Sequence, residues 1–188
     1  MQVTETALPG VLIIEPKVWS DPRGFFFESF RADRFEEATG VRTAFVQDNH
    51  SRSAQGILRG MHYQLDHPQS KLCRVVQGEV LDVAVDIRRG SPTFGTWVSV
   101  LLSADNKRQI FVPRGFAHGF VVLSETVEFL YKCDEFYHPE DERGIAWDDP
   151  DIGIVWNLPA DYPPVTLSGK DQRNPRLAEA APDDLPLY

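Results

Sequence analysis

"VLDVAVDIRRGSPTFGTW", residues 80 to 97, confines this chain more than any other stretch. Leu81, Val83, Val85 and Ile87 alternate with Val80, Asp82, Ala84 and Asp86. A period of two belongs to a strand, and the polar "RRGSP" then turns the chain. The same rhythm of short strand and polar turn recurs along the sequence. Strands are expected over 43–49, 57–64, 71–77, 96–102, 109–112, 118–123 and 127–133, with Gly, Pro, Asp and Ser between them. Many short strands so spaced make an all-β sandwich or barrel. Helical patterning is scarce. Its best instance is "RADRFEEATG", residues 31–40, with Phe35 and Ala38 on one side and Gly40 as a stop. No repeat of solenoid period is present. The last residues, about 173–188, are rich in proline and acid and are expected to form an extended or flexible arm.

A chain of 188 residues suffices for one domain with its own core, and 1–188 is taken as a single unit. No apolar run approaches the roughly 18 residues of a membrane span. "MQVTETALPG" lacks the basic-then-apolar order of a secretory signal. Cys73 and Cys133 lie in separate strands and read as free thiols of a reduced, cytoplasmic protein. The formal charge of −9 argues against a nucleic-acid partner. A small anionic ligand needs only a local basic cluster and stays open.

The chemistry concentrates around "ILRGMHYQ", residues 57–64. Alternation places Leu58, Gly60, His62 and Gln64 on one face and Ile57, Arg59, Met61 and Tyr63 on the other. Neither face is cleanly apolar, so packing alone does not account for the strand. A metal site would need three or four ligands. His62 lacks a second histidine at 64, and His118 in "VPRGFAHGF" leaves the count at two, so no metal is expected. Proton chemistry suits these residues better. Imidazole titrates near neutrality, and His62 can act as a base if an acid orients its other nitrogen. Asp171 in "LSGKD" or Asp82 could be that acid. Tyr131 shares an inward face with Val127 and Phe129 and is the candidate proton donor. Lys71, at the start of a strand, can enter the same cavity as a fixed cation beside a developing enolate oxygen.

The ordered blocks "DPRGFFFESF", "QDNHSRSAQGILRGMHYQ", "PQSKLCRVVQGEVLDVAVDIRRGSPTFGTW", "VPRGFAHGFVVLSE", "YKCDEFYHPEDERGIAWDDP" and "LSGKD" closely resemble the dTDP-4-dehydrorhamnose 3,5-epimerase family over about residues 11–172. The resemblance implies a cupin-type jelly roll with a few short peripheral helices. It also implies a cofactor-free isomerase that converts dTDP-4-keto-6-deoxyglucose to dTDP-4-keto-rhamnose, and a homodimer that exchanges N-terminal strands. It makes His62 the base, Asp171 its partner, Lys71 the neighbour of the C4 oxygen and Tyr131 the acid. Arg23, Phe26, Glu28, Gln47, Asn49, Arg59, His118, Tyr137 and Lys170 then hold the substrate, with Arg23 to Glu28 serving the partner's site. Arg59 and His62 share one cavity only if the strand twists or bulges, and Gly60 is the expected place. The competing readings are a 3-only or 5-only epimerase, and a cupin that binds a sugar nucleotide without turning it over.

Overall fold

In the computed structural model, which describes residues 1–188, the alternating stretch forms β8 (Glu79–Asp86). It pairs antiparallel with β11 (Phe116–Val122) on one side and β9 (Trp97–Ser103) on the other. Val80 and Ala84 enter one apolar cluster, while Leu81, Val83 and Val85 enter a second on the opposite face. A strand covered on both faces loses the polar-out half of its alternation, which explains why β8 reads as nearly all apolar.

With β6 (Leu58–Gln64) and β13 (Glu142–Gly144) these strands make a five-stranded sheet in the order β13-β6-β11-β8-β9. The facing sheet has six strands. They are β1 (Gln2–Glu5), β2 (Leu12–Glu15), β10 (Gln109–Val112), β7 (Lys71–Gln77), β12 (Thr126–Cys133) and β5 (Gln47–Ala54), in the order β1-β2-β10-β7-β12-β5. From β5 to β8 the chain crosses between the sheets at each step, and every strand pair is antiparallel. The result is a two-sheet, cupin-type jelly roll, mostly β and not closed into a barrel. Cys73, Val75, Val100, Ile110, Phe120, Val127 and Phe129 fill the space between the sheets. Each such buried apolar side chain contributes roughly 1.5–3 kcal/mol.

The outer faces are covered differently. α1 (Ala32–Thr39) lies on the six-stranded sheet and sinks Phe35 against Leu12, Ile14, Leu72 and Phe111. It ends where Gly40 turns left-handed (φ 71°) and its N–H bonds the Glu36 carbonyl. Ala38, expected beside Phe35, is exposed instead. The strand expected at 43–49 begins only at Gln47 and runs to Ala54, because Phe45 turns aside to pack against Phe30 and Phe35. β3 (Val18–Asp21) and β4 (Gly24–Phe27) form a separate hairpin with Trp19, Phe25 and Phe26 exposed.

The C-terminal segment covers the five-stranded sheet. Ile145, Ile152, Trp156, Leu177 and Leu185 close the second cluster. The tail expected to be extended or flexible is instead docked there, in single 3-10 turns at Asp171–Arg173, Leu177–Glu179 and Pro182–Asp184. The Tyr188 N–H donates to the Arg89 carbonyl (3.1 Å). Two leucines too far apart for any period supply the apolar anchors. No helix is long and apolar enough to cross a membrane.

Candidate active site

The site begins with a slip in register. His118 of β11 faces His62 of β6, but Phe120 faces Arg59, so β6 takes three steps where β11 takes two. The extra residue is accommodated at Gly60, whose φ is 137°. A Cβ on Gly60 would lie 2.6 Å from the Cα of Gly119, and one on Gly119 would lie 2.7 Å from the Arg59 carbonyl oxygen. Two glycines therefore cross where nothing larger fits. The bulge brings Arg59 and His62, which strict alternation separates, to the same cavity.

That cavity has a volume of about 520 Å³, in the range of small-molecule sites. Lys71 and Tyr131 enter it from the six-stranded sheet, and Arg59, His62 and His118 from the five-stranded one. Tyr137, Glu142, Lys170 and Asp171 close one side. Eight of the residues read from the sequence as carrying the site thus meet in one place, Asp171 and His118 being buried.

His62 Nε2 lies 2.6 Å from Asp171 Oδ1. Burial alone would raise the Asp171 carboxyl, but the His62 hydrogen bond and charge, with bonds from Gly60 and Ser168, hold it below its ordinary value. Asp171 is therefore a carboxylate that fixes the ring and leaves the other nitrogen free. That nitrogen, Nδ1, is 3.9 Å from Glu142 Oε1. Asp82, the other acid the sequence left open, belongs to a different histidine: its Oδ1 is 2.8 Å from His118 Nε2.

Glu142 is the residue that the sequence did not disclose. It accepts the Tyr137 hydroxyl at 2.5 Å and pairs with the Lys170 ammonium. Burial opposes its ionisation, yet these partners and the nearby His62 keep its carboxyl below the usual range. Its place depends on β13 pairing beside β6, which puts Glu142 across from Gln64. No local pattern announces that.

On the opposite wall, burial first and then the neighbouring Cys133 and Cys73 push the Tyr131 hydroxyl far up, with Arg59 opposing. The phenol keeps its proton at neutral pH. Arg59 donates Nε to Ser53 Oγ (3.0 Å), which aims the terminal amino groups for other partners. Gln47 and Asn49, at alternate positions of β5, do not line the cavity itself. Gln47 bonds Asn49 (3.1 Å) and accepts the Tyr137 N–H (3.0 Å), and Asn49 stands directly across from Tyr131. Arg23, Phe26 and Glu28 do not reach the cavity of their own chain. Arg23 pairs with Asp21 in an exposed turn, Phe26 is 70% exposed, and Glu28 faces Arg31 at 3.7 Å.

Residues 5–179 match the family profile described as dTDP-4-dehydrorhamnose 3,5-epimerase. The enzyme of that name from Pseudomonas aeruginosa is 58% identical over 180 residues, covering 96% of this chain and 98% of the relative. The crystal structure of the Legionella pneumophila dTDP-6-deoxy-D-glucose-3,5-epimerase with dTDP-4-keto-L-rhamnose superposes with a TM-score of 0.95 at 52% identity, over 100% of this chain and 98% of that one. A 3'-monoepimerase from Streptomyces bikiniensis in complex with dTDP-quinovose is more distant in sequence, at 36% identity, yet reaches a TM-score of 0.90 over 100% of this chain and 93% of that one. A fold shared this closely does not separate one epimerisation from two. With the profile spanning nearly its whole length and relatives above 50% identity along it, the chain belongs to the dTDP-4-dehydrorhamnose 3,5-epimerase family, whose members are isomerases.

Proposed function

We propose that this chain epimerises dTDP-4-keto-6-deoxyglucose at C3 and C5 to dTDP-4-keto-rhamnose, with no cofactor. The observation that carries the reading is one cavity holding an oriented imidazole, a protonated buried phenol and fixed cations on facing walls. The C4 ketone acidifies the hydrogens on both neighbouring carbons. His62, through the nitrogen Asp171 does not hold, takes the proton from C5 or C3. The electron pair moves onto the C4 oxygen, where the Lys71 ammonium stabilises the enolate. Tyr131 returns a proton to the same carbon from the other face and inverts it. The ketone is the electron sink, so neither a nicotinamide nor a metal has a step to perform.

Arg59 and Lys170 supply the positive charge that a pyrophosphate requires on a chain of net charge −9. Tyr137, Gln47 and Asn49 line the entrance for the nucleotide, and His118 holds the sugar. The chain works as a single domain within a cytoplasmic homodimer. The exposed hairpin of Trp19, Phe25 and Phe26 favours this, since an apolar ribbon of that kind is stable when a second copy covers it. Arg23, Phe26 and Glu28 then complete the partner's site. Incubation with the keto-sugar nucleotide in deuterated water tests the reaction. Deuterium at both C3 and C5 is expected. Label at one carbon would assign a mono-epimerase, and none would leave a binding protein.

A further inference from the structure

At and behind the cavity wall that His118 forms, three donor groups meet that the proton transfers leave aside. They are the thiol of Cys73, the carboxylate of Asp82 and the imidazole of His118, all buried, with their donor atoms within 4.8 Å of one another. They come from β7, β8 and β11 and face inward from both sheets. His118 Nε2 lies 2.8 Å from Asp82 Oδ1 and 3.9 Å from Cys73 Sγ. Metal bonds of about 2.0–2.3 Å in a tetrahedron hold donors roughly 3.3–3.8 Å apart, so the two observed spacings straddle the required one. A second feature points to a ligand. Asp82 is wholly buried, and its Oδ2 has no hydrogen-bond partner. A buried carboxylate oxygen without a partner is costly, and a cation would satisfy it.

We propose that Cys73, Asp82 and His118 form a site for a thiophilic divalent cation of the Zn2+ type, and that its occupancy blocks the sugar subsite. Sulfur, nitrogen and carboxylate oxygen are a donor set for zinc rather than for magnesium or calcium. Three protein ligands leave a fourth position open toward the cavity, where His118 is part of the wall. Binding exchanges the Cys73 S–H bond for a sulfur–metal bond and the hydrogen bond between His118 Nε2 and Asp82 for bonds to the metal; the thiol proton goes to solvent, the imidazole stays neutral with its proton on Nδ1, and nothing is oxidised or reduced. The cation takes no part in epimerisation. It occupies the wall against which the sugar must lie, so it competes with substrate. Only this last statement rests on the function proposed above.

The test uses the full-length, chelator-treated protein with metal alone. Zn2+ is titrated in competition with a chromophoric chelator, and Co2+ is added in its place for spectroscopy. One ion per chain is expected, with a thiolate-to-cobalt charge-transfer band and the visible bands of a four-coordinate ion, and Mg2+ should not compete. Cys73→Val should lose the band and bind Zn2+ more than about 100-fold more weakly, beyond what loss of an outer-shell partner costs. Cys73→Ser, closer in volume, guards against a packing defect. Both variants should turn over normally in metal-free buffer and resist Zn2+, whereas the parent should be inhibited competitively with the sugar nucleotide and recover with chelator. Equal Zn2+ affinity in parent and variants would overturn the site and place the metal elsewhere, as at the stacked His67 and His138 rings. Undiminished turnover with the cobalt–thiolate band fully developed would overturn the blocking. Cys73-dependent binding in a protein that never epimerises the keto-sugar would sink the functional reading and leave the site standing.

Discussion

Asp171 spends its charge on orientation, and the consequence can be measured at His62. The pair is 2.6 Å apart, and the carboxyl is held below its ordinary value by that bond despite burial. His62→Ala should lower turnover by about 10²–10⁴-fold while dTDP binding, measured by calorimetry, stays within a few-fold, because only the proton step uses the imidazole. A variant with near-parent turnover would make His62 structural. Tyr131→Phe keeps the ring and removes the acid. Net inversion should fall strongly while wash-in of solvent deuterium with retention continues. Equal loss of both would place Tyr131 before proton abstraction. His62, Tyr131 and Lys71 were legible in the sequence because each is a polar residue on a strand that otherwise packs inward. Glu142 was not, since its meaning comes from Lys170 and Tyr137, which only the fold brings to it. Cys73 and Asp82 read as a thiol and an acid of two different strands, and only the sandwich sets them beside His118.

The bulge between β6 and β11 is where an element makes the site. Glycine is needed there for space, since a methyl on Gly119 would press into the Arg59 carbonyl at 2.7 Å and the Met61 sulfur at 2.7 Å. Gly119→Ala should cost about 1–3 kcal/mol in urea unfolding, as overpacking does, and should reduce turnover further by tilting Arg59 and His62 apart. Gly90→Ala makes the contrast. Its φ of 85° is strained for alanine, but open space surrounds it and it lies in the turn after β8. It should lose about 1–2 kcal/mol of stability and no activity at the permissive temperature. A similar loss of activity in both variants would mean that the bulge does not set the geometry. The need for such an irregularity at Gly60 could be read from the sequence, because a perfect strand cannot send residues three apart to one face. The start of β5 could not, because the run 43–46 has strand composition and is diverted by the aromatic contacts of Phe45.

Over the whole molecule, alternating strands and turns disclosed an all-β sandwich or barrel, and the family resemblance narrowed it to a jelly roll, but the two ends of the chain did not declare themselves. The C-terminal tail is polar in composition and is held by two leucines, and the N-terminal hairpin leaves Trp19, Phe25 and Phe26 exposed on its own chain. Acid stability depends on a turn between these parts. Asp86 is buried, which alone would raise its carboxyl, but Arg88, Ser91 and Thr93 bring it down to about 2. A depressed carboxyl stabilises the fold above its ordinary value of 3.8 and loses that contribution as pH falls toward 2. Asp86→Asn should therefore cost roughly 2 kcal/mol at neutral pH and much less near pH 2, read from urea midpoints across the range. A pH-independent difference would make the effect steric. The hairpin leads to a test of the assembly itself. Arg23 is remote from the cavity of its own chain, its side chain 90% exposed, and is assigned here to the partner's site. His62→Ala dimers lack the base in both sites, and Arg23→Ala dimers should bind substrate poorly in both. In a mixed dimer one site combines both defects, while the other has an intact His62 from one chain and an intact Arg23 from the other. Unfolding and refolding the two variants together should restore about a quarter of the parental sites, since half of the dimers are mixed and each has one sound site of two. If Arg23 served its own chain, no site would be repaired, and activity at low substrate would stay at the mean of the two variants.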